Sequence, residues 1–143
     1  GNGIQVLKGR GYDLIREKLL ARSSKECVII GDDSKMVGKI GTNFPIPVEV
    51  SPIAWKITKT LISQFAAECN LRKNTAGDGF AITSYGNLVL DCSFKDKKDV
   101  YDLSAWLSNI PGVLEHGIFL NTVHNIIIAG NGDLQVIADS SMI

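Results

Sequence analysis

The fold of this chain is decided by residues 4–30, IQVLKGRGYDLIREKLLARSSKECVII. Residues 4–7 predict a short strand that the following glycines end, and the continuous apolar run 27–30 is typical of a strand buried on both faces. Between them, helical spacing runs from a candidate N-cap, Asp13, to about Arg22. Strand, helix and strand in this order predict a βαβ unit and a parallel sheet. The helical spacing is set by Leu14, Ile15, Leu19 and Leu20.

A second set of elements follows a loop that is rich in glycine and proline. A strand is predicted at residues 48–50, a helix begins near Pro52, and a second helix ends at Pro111. With the strands around these helices, the order is β-α-β-β-α-β, which is that of a ferredoxin-like lobe. Residues 130–133, GNGD, then predict the turn of a C-terminal hairpin. The other predicted strands are 71–74, 80–84, 87–94 and 113–120, and the apolar stripe of the first lobe helix is Ile53, Ile57, Leu61 and Phe65.

Composition places the chain among ordinary globular proteins. Its 143 residues are 45% apolar and 21% charged. No apolar run approaches the ~20 residues needed to cross a bilayer, and fifteen basic side chains balance fifteen acidic ones, so neither a membrane nor nucleic acid is an expected partner. The first 45 residues carry eight basic and five acidic side chains, which favours an anionic ligand there. Because the start carries no secretion signal pattern, we expect a cytoplasmic protein.

The cysteines and histidines do not predict a metal centre. Cys27, Cys69 and Cys92 are widely spaced and form no zinc-binding motif, and the chain has two histidines. We expect the three cysteines to be small buried side chains in a reducing compartment.

The loop of residues 8–11, KGRG, is the first candidate for chemistry. A strand that enters a glycine-rich turn and then a helix presents backbone N–H groups to an anion, and Lys8 adds a mobile cation. The alternative is that the glycines only shape the turn. Lys35 follows the second strand, and loops at the carboxyl ends of parallel strands meet at one crevice. We therefore expect Lys8 and Lys35 at the same edge of the sheet.

Glu17 is the second candidate. It lies nine residues after Lys8, in the helix that follows the loop. A carboxylate aimed at the loop would serve as a general base. The flanking Arg16 and Lys18 instead fit a solvated helix face whose ion pairs contribute little. The local sequence leaves both interpretations open.

These candidates lie in segments that, taken together and in order, resemble the type A ribose-5-phosphate isomerase family. Residues 8–18 resemble its KGGG…LxREK segment, and residues 33–35 resemble its D-x-S-K segment. Residues 44–50, FPIPVEV, are similar to its FPxPVEV stretch. Residues 109–113 and 117–119 resemble its IPGV…GLF stretch, so the matches extend over nearly the whole chain.

The resemblance implies an enzyme of the pentose phosphate pathway that interconverts D-ribose 5-phosphate and D-ribulose 5-phosphate through an enediolate. It also implies metal-independent chemistry without a cofactor, a sugar phosphate as the bound partner, and a homo-oligomer in the full-length form. By position, Glu17 matches the family's proton acceptor, and Lys8 matches its catalytic lysine beside the reacting oxygens. The substrate-binding positions of the family fall on Lys8, Gly9, Arg10, Gly11 and Lys35.

The resemblance and the element order together imply an α/β fold of two parts. Residues 1–45 and 122–143 are expected to form a partial Rossmann-like parallel sheet, made of the βαβ unit and the C-terminal hairpin. Residues 46–121 are expected to form an inserted ferredoxin-like lobe. The family's N-terminal phosphate loop and its DGADE-type segment have no counterpart here, so we expect an incomplete portion that is poorly active alone.

Departures from the family pattern keep other functions open. Arg10 occupies a position where the family has glycine, and the family's TDNGN turn appears as TSYGN at residues 83–87. A second hypothesis is therefore a non-catalytic sugar-phosphate sensor that kept the fold. In a third, the lobe mainly forms an oligomer contact with aromatic anchors, although such residues are more often ordinary core. The candidate anchors are Trp55, Trp106 and Phe119.

Overall fold

The computed structural model describes residues 5–8, 13–32, 45–95, 99–120, 125–130 and 132–138. Within these ranges the strands form sheets of two, three and four strands. The strands are β1 (Gln5–Leu7), β2 (Val28–Asp32), β3 (Ile46–Val50), β4 (Glu68–Leu71), β5 (Leu88–Ser93), β6 (Val113–His116), β7 (Ile118–Leu120), β8 (Asn125–Gly130) and β9 (Asp133–Ala138). The helices are α1 (Leu14–Ser23), α2 (Trp55–Ser63) and α3 (Val100–Ser108).

The largest sheet belongs to the lobe that the sequence predicts. Its strand order is β4-β5-β3-β6, and each neighbouring pair is antiparallel. Because α2 follows β3 and α3 follows β5, this is the β-α-β-β-α-β arrangement of a ferredoxin-like lobe. Alternate residues of β3 point to the face that the helices cover. There, Val48 shares the main core with Ile62 of α2 and Leu107 of α3.

The remaining strands complete the α/β fold. β2 pairs with β8 in parallel, and β8 pairs with β9 as an antiparallel hairpin. The βαβ unit predicted for residues 4–30 is wrong in its pairing, because in the described ranges β1 pairs antiparallel with β7 and is not in the sheet of β2. The predicted α/β fold class is confirmed, with the parallel pairing between β2 and the first strand of the C-terminal hairpin. The division of the chain into 46–121 and the two flanking segments stays a prediction.

A break at Gly117 explains where β1 lies. The sequence predicts one strand over residues 113–120, whereas the structure has β6 and β7 on either side of this glycine. The Gly117 N–H donates to the carbonyl of Pro47 at 2.8 Å, and the Gly117 carbonyl accepts from the N–H of Lys8 at 2.8 Å. The chain therefore leaves the four-stranded sheet after β6, and β7 pairs with β1.

The apolar stripe predicted for the first lobe helix is wrong. Ile53 is 96% exposed, Ile57 is 65% exposed and Phe65 is 52% exposed. The helix instead turns Thr58 and Ile62 inward. Ile53 is exposed because the helix begins only after it. The rotation of the helix about its axis is fixed by a hydrogen bond from the Thr58 hydroxyl to the carbonyl of Pro111, at 2.8 Å.

The segment between β4 and β5 also differs from the prediction. β4 lies at Glu68–Leu71, and residues 80–84 form isolated bridges rather than a strand. The cause is local turn chemistry: the Asn74 side chain accepts from the N–H of Gly77 at 2.7 Å, and Gly86 has a φ of 78°. Positive φ favours glycine and ends regular pairing at that point.

The aromatic residues considered as interface anchors mostly pack inside the lobe. Phe119 is completely buried, so it is a core residue. Trp106 is partly buried, and its ring lies 5.2 Å from that of Phe65 and 6.1 Å from that of Phe94, both edge-on. Trp55 is partly buried against the same core. No helix in the part of the chain that the structure describes is long and apolar enough to cross a membrane.

Candidate active site

Lys8 lies at the end of β1, where the chain enters the candidate loop. Its backbone N–H is bonded to Gly117, and its half-buried side chain reaches over Phe119, with 5.7 Å between Nζ and the ring centroid. A cation over an aromatic face is held without an anionic partner. Among the described residues, the Lys8 ammonium forms no ion pair, so its charge remains available to an anionic ligand.

Gly117 holds Lys8 by leaving no room for a side chain. A Cβ at this position would lie 2.1 Å from the carbonyl oxygen of Lys8 and 2.6 Å from Cγ of Pro47. The first of these atoms is backbone, which cannot rotate away. Glycine is therefore required where β1 crosses the β6–β7 break.

We expect Gly117→Ala to lower the free energy of unfolding by about 1–3 kcal/mol, because β1 must shift to admit the methyl group. Urea unfolding followed by circular dichroism measures the loss. Gly79→Ala is the matched control, since its Cβ would meet only the Asn74 amide nitrogen, at 3.3 Å. Equal stability of the two variants would contradict the role given to the close approach.

Glu17 lies in the first turn of α1, at the edge of the buried face. Its backbone N–H donates to the carbonyl of Asp13 at 2.8 Å. Its side chain is half-buried, and the Oε2 atom is buried without a hydrogen-bond partner in the described part of the chain. Buried carboxylate oxygens nearly always have a partner, so an open one points to a ligand or to chemistry. A carboxylate held in this way can accept a proton.

The interpretation of residues 16–18 as a solvated face of α1 is wrong for Lys18. Lys18 is buried, and its Nζ contacts the Glu115 carboxylate at 2.6 Å and the His116 carbonyl at 2.8 Å. Burial lowers the pKa of Lys18, and the bond to Glu115 counteracts part of this effect. The buried face of α1 is Leu14, Lys18 and Ala21, whereas Leu19 and Leu20 are exposed.

Two ammonium groups share the ring of Phe119. Lys18 Nζ lies 5.1 Å from the ring centroid, and Lys8 Nζ lies 5.7 Å from it. Among the residues that the structure describes, only Lys18 of these two lysines is paired with a carboxylate, that of Glu115. The ion pair with Glu115 thus balances the charge of Lys18, whereas the charge of Lys8 has no such partner in the described part of the chain.

The turn of residues 83–87 is bonded to the start of α1. The Ser84 hydroxyl donates to Asp13 Oδ1. Asp13 occupies the N-cap position as predicted, but its side chain does not cap the helix, because it is committed to Ser84. Since the Asp13 carbonyl accepts from the N–H of Glu17, the turn supports the helical turn that carries the candidate base.

Glu49 is a buried carboxyl that the sequence analysis missed. It lies in β3 with no exposed surface; Asn87 donates to its Oε2 at 2.9 Å and Thr83 at 3.5 Å, while its Oε1 has no partner in the described residues. Burial raises the pKa of the Glu49 carboxyl, which favours the neutral form beside the negative charges of Asp13 and Glu115. The available signal was a glutamate in the middle of an otherwise apolar strand.

His116, whose carbonyl accepts from Lys18, also has a buried side chain with several partners. Its Nδ1 accepts from the N–H of Ile118 at 3.2 Å, so Nε2 carries the proton and faces the hydroxyls of Ser108, at 3.0 Å, and Ser104, at 3.3 Å. Burial, together with the nearby charge of Lys18, lowers the pKa of His116 to about 4. The ring is therefore neutral at pH 7 and serves as a hydrogen-bonding support.

We expect His116 to make stability fall as the solution is acidified. Its pKa is about 4 when folded and 6.5 in the reference state, so the unfolded chain binds the extra proton first and stability declines between pH 6.5 and pH 4. This shift corresponds to about 3 kcal/mol. Lys18, Arg22 and Glu115 are the charged groups that influence the ring.

The measurement compares urea unfolding of wild type and His116→Asn across this pH range. Taking the difference removes the opposite contribution of Glu49, whose raised pKa stabilises the folded state as the pH falls. The advantage of wild type over the variant should shrink towards pH 4. A constant difference would mean that His116 does not titrate as described.

The structure leaves part of the predicted site undescribed. Gly9, Arg10, Gly11 and Lys35 lie outside the described residues, so their predicted substrate contacts stay predictions. Lys8 and Glu17 are both described and form no direct bond with each other there. No group of three or more His, Cys, Asp or Glu side chains in the described ranges is placed to hold a metal ion.

Comparisons with known proteins find one family across most of the chain. A family model described as ribose 5-phosphate isomerase A (phosphoriboisomerase A) matches residues 2–133. A curated relative, ribose-5-phosphate isomerase A of Prochlorococcus marinus strain MIT 9312, is 39% identical over 127 residues, which are 88% of this chain and 54% of the relative.

Solved structures match over the same extent. Ribose 5-phosphate isomerase A from Methanocaldococcus jannaschii superposes with a TM-score of 0.87 and 32% identity, covering 96% of this chain and 60% of that one. A D-ribose-5-phosphate isomerase in complex with phospho-erythronic acid superposes with a TM-score of 0.88 and 32% identity, covering 94% and 58%. The chain thus spans between about half and three fifths of the length of these proteins.

Proposed function

Because this chain belongs to the ribose 5-phosphate isomerase A family, we propose that it carries the proton-transfer residues of an enzyme that interconverts D-ribose 5-phosphate and D-ribulose 5-phosphate. The observation that carries the proposal is Glu17, a half-buried carboxylate with an open buried oxygen. It lies on the helix whose buried face reaches the same aromatic ring as Lys8.

The reaction requires one base and one source of positive charge. In the proposed mechanism the Glu17 carboxylate removes the proton from C2 of the aldose and returns it to C1, so that an enediolate lies between the two sugars. The hydroxyl proton of C2 passes to the oxygen of C1 in the same sequence, and negative charge develops on these two oxygens while it does. The Lys8 ammonium stabilises that charge, and its lack of a carboxylate partner in the described part of the chain suits it to this role.

The remaining substrate contacts are assigned by family position. We propose that Gly9, Arg10 and Gly11 form the loop that binds the sugar phosphate, and that Lys35 binds the substrate as well. A sugar-acid phosphate is bound to one of the similar solved structures, which supports a ligand of this class here. The excess of basic residues in the first 45 positions is consistent with a phosphate-bearing substrate.

We further propose that the protein acts in the cytoplasm as a homo-oligomer, with residues 46–121 forming the inserted lobe. The exposed side chains of Ile57 on α2 and of Ile53 just before this helix provide apolar surface of the kind that subunit contacts bury. Light scattering on the purified protein measures the subunit number.

The proposed activity is tested on the chain extended with the remaining segment of the Prochlorococcus relative, which we call the extended protein. Formation of ribulose 5-phosphate from ribose 5-phosphate is followed by absorbance, and binding is followed by calorimetry. We expect turnover by the extended protein and little turnover by the 143-residue chain. Binding without isomerisation by the extended protein would contradict the enzyme and favour the sugar-phosphate sensor.

A further inference from the structure

Cys69 and Cys92 face each other inside the lobe. They are directly opposite on β4 and β5, their sulfur atoms are 3.4 Å apart, and both side chains are buried. Both are thiols in this structure. A disulfide requires an S–S distance of about 2.05 Å, so the sulfur atoms need to approach by only about 1.3 Å.

The strand register suits a covalent bond between them. The N–H of Arg72 donates to the carbonyl of Val89 at 2.8 Å, which makes this pair a hydrogen-bonded one. Hydrogen-bonded and non-hydrogen-bonded pairs alternate along antiparallel strands, so Cys69 and Cys92, three positions away, form a non-hydrogen-bonded pair. In such pairs the Cα atoms are about 4.5 Å apart, within the range that disulfides accept.

We propose that Cys69 and Cys92 are an oxidation site, at which a peroxide converts the two thiols into a reversible disulfide that joins the edge strand β4 to β5. Strand β4 is an edge of the four-stranded sheet. Among the described strands of this sheet β4 pairs only with β5, so the disulfide would add a covalent link to that pairing.

The environment assigns different roles to the two sulfur atoms. The contact with the Cys92 sulfur and the positive charge of Lys59 lower the pKa of Cys69, whereas the same contact and burial raise that of Cys92. Cys69 is also the more accessible of the two, at 6% exposure against 0% for Cys92, so it is the sulfur that meets the peroxide first.

The chemistry balances with hydrogen peroxide as the oxidant. The Cys69 thiolate attacks one peroxide oxygen, the O–O bond breaks, and hydroxide leaves, which gives a sulfenic acid on Cys69. The Cys92 sulfur then attacks the Cys69 sulfur, and the hydroxyl group leaves as water with the Cys92 proton. Both sulfur atoms are oxidised, the peroxide is reduced to water, and a dithiol reductant restores the thiols. Neither Lys8 nor Glu17 takes part, so the site operates whether or not the chain is an isomerase.

The test treats the 143-residue chain with hydrogen peroxide and counts thiols after denaturation. We expect the count to fall from three to one and the intact mass to fall by two hydrogen atoms, with reversal by dithiothreitol. After trypsin digestion without reductant, peptides 60–72 and 74–95 should be joined. Unchanged thiols, oxygen addition without a link, or a link to Cys27 would each overturn the proposal.

Matched variants separate this pair from general oxidation. Cys27→Ser should lose one thiol from the count and still form the bond, whereas Cys92→Ser and Cys92→Ala should form none. Peptide mapping of the wild-type chain needs no variant, so a variant that folds poorly leaves the test intact. Equal disulfide yield in the Cys92 variants would also overturn the proposal.

Discussion

Replacing Glu17 with glutamine should lower the kcat of the extended protein by ~10²–10⁴-fold, the usual contribution of a general base. Glutamine keeps the size and most of the polarity of the side chain, but its amide does not accept a proton from carbon. The backbone bond from Glu17 to Asp13 is unaffected by the change, so the helix and the KM for ribose 5-phosphate should be little altered. Steady-state kinetics in both reaction directions measure the effect.

Glu68→Gln is the matched control for this variant. Glu68 is an exposed glutamate on β4, so the same substitution there should leave kcat unchanged. A loss of kcat in Glu17→Gln that is no larger than in Glu68→Gln would remove Glu17 from the mechanism.

Replacing Lys18 with methionine should cause a large loss of stability. Methionine fills similar space, but it leaves the Glu115 carboxylate and the His116 carbonyl without the ammonium that now lies 2.6 Å and 2.8 Å from them. Removing one partner of a buried ion pair costs about 3–5 kcal/mol. The Glu115 side chain keeps 20% of its exposure, so we expect a value near the lower limit. Urea unfolding measures the change.

Two further variants identify the cause. Lys25→Met removes an exposed lysine just after α1 and should change stability little. The double variant Lys18→Met/Glu115→Gln removes both charges, so it should be more stable than Lys18→Met alone. A double variant less stable than the single one would contradict the ion pair as the source of the effect.

The sequence predicts the order of elements well because local chemistry sets it. The run that becomes β2 and the two helices of the lobe are all marked by nearby residues. The fold class follows from their order. Lys8 and Glu17 also come from a local motif, although their proposed roles rest on family position.

The burial of Lys18 could not be predicted from its neighbours in sequence. Its partner, Glu115, is 97 residues away, and only the docking of α1 against β6 brings them together. Spacing alone assigned Lys18 to a solvated face. The exposed Ile57 has the same explanation, since periodicity identifies a stripe but not the rotation at which tertiary contacts fix the helix, whereas Ile53 lies before the first residue of α2.

Glu49 illustrates a second limit of the sequence. A charged residue in a central strand of a buried sheet conflicts with local preference, and such conflicts mark functional or tightly constrained positions. Its bonds to Thr83 and Asn87 come from a turn 34 and 38 residues away. Only the structure identifies these partners.

The most direct test of the account is isomerisation of ribose 5-phosphate by the extended protein in D₂O. The Glu17 side chain is partly exposed, so a proton that it removes from C2 can exchange with solvent before the carboxylate returns it. We predict that wild type forms ribulose 5-phosphate with deuterium at C1, detected by NMR, and that Glu17→Gln forms neither product nor label at a comparable rate. Labelled product at the wild-type rate in Glu17→Gln would contradict the assignment of Glu17 as the base.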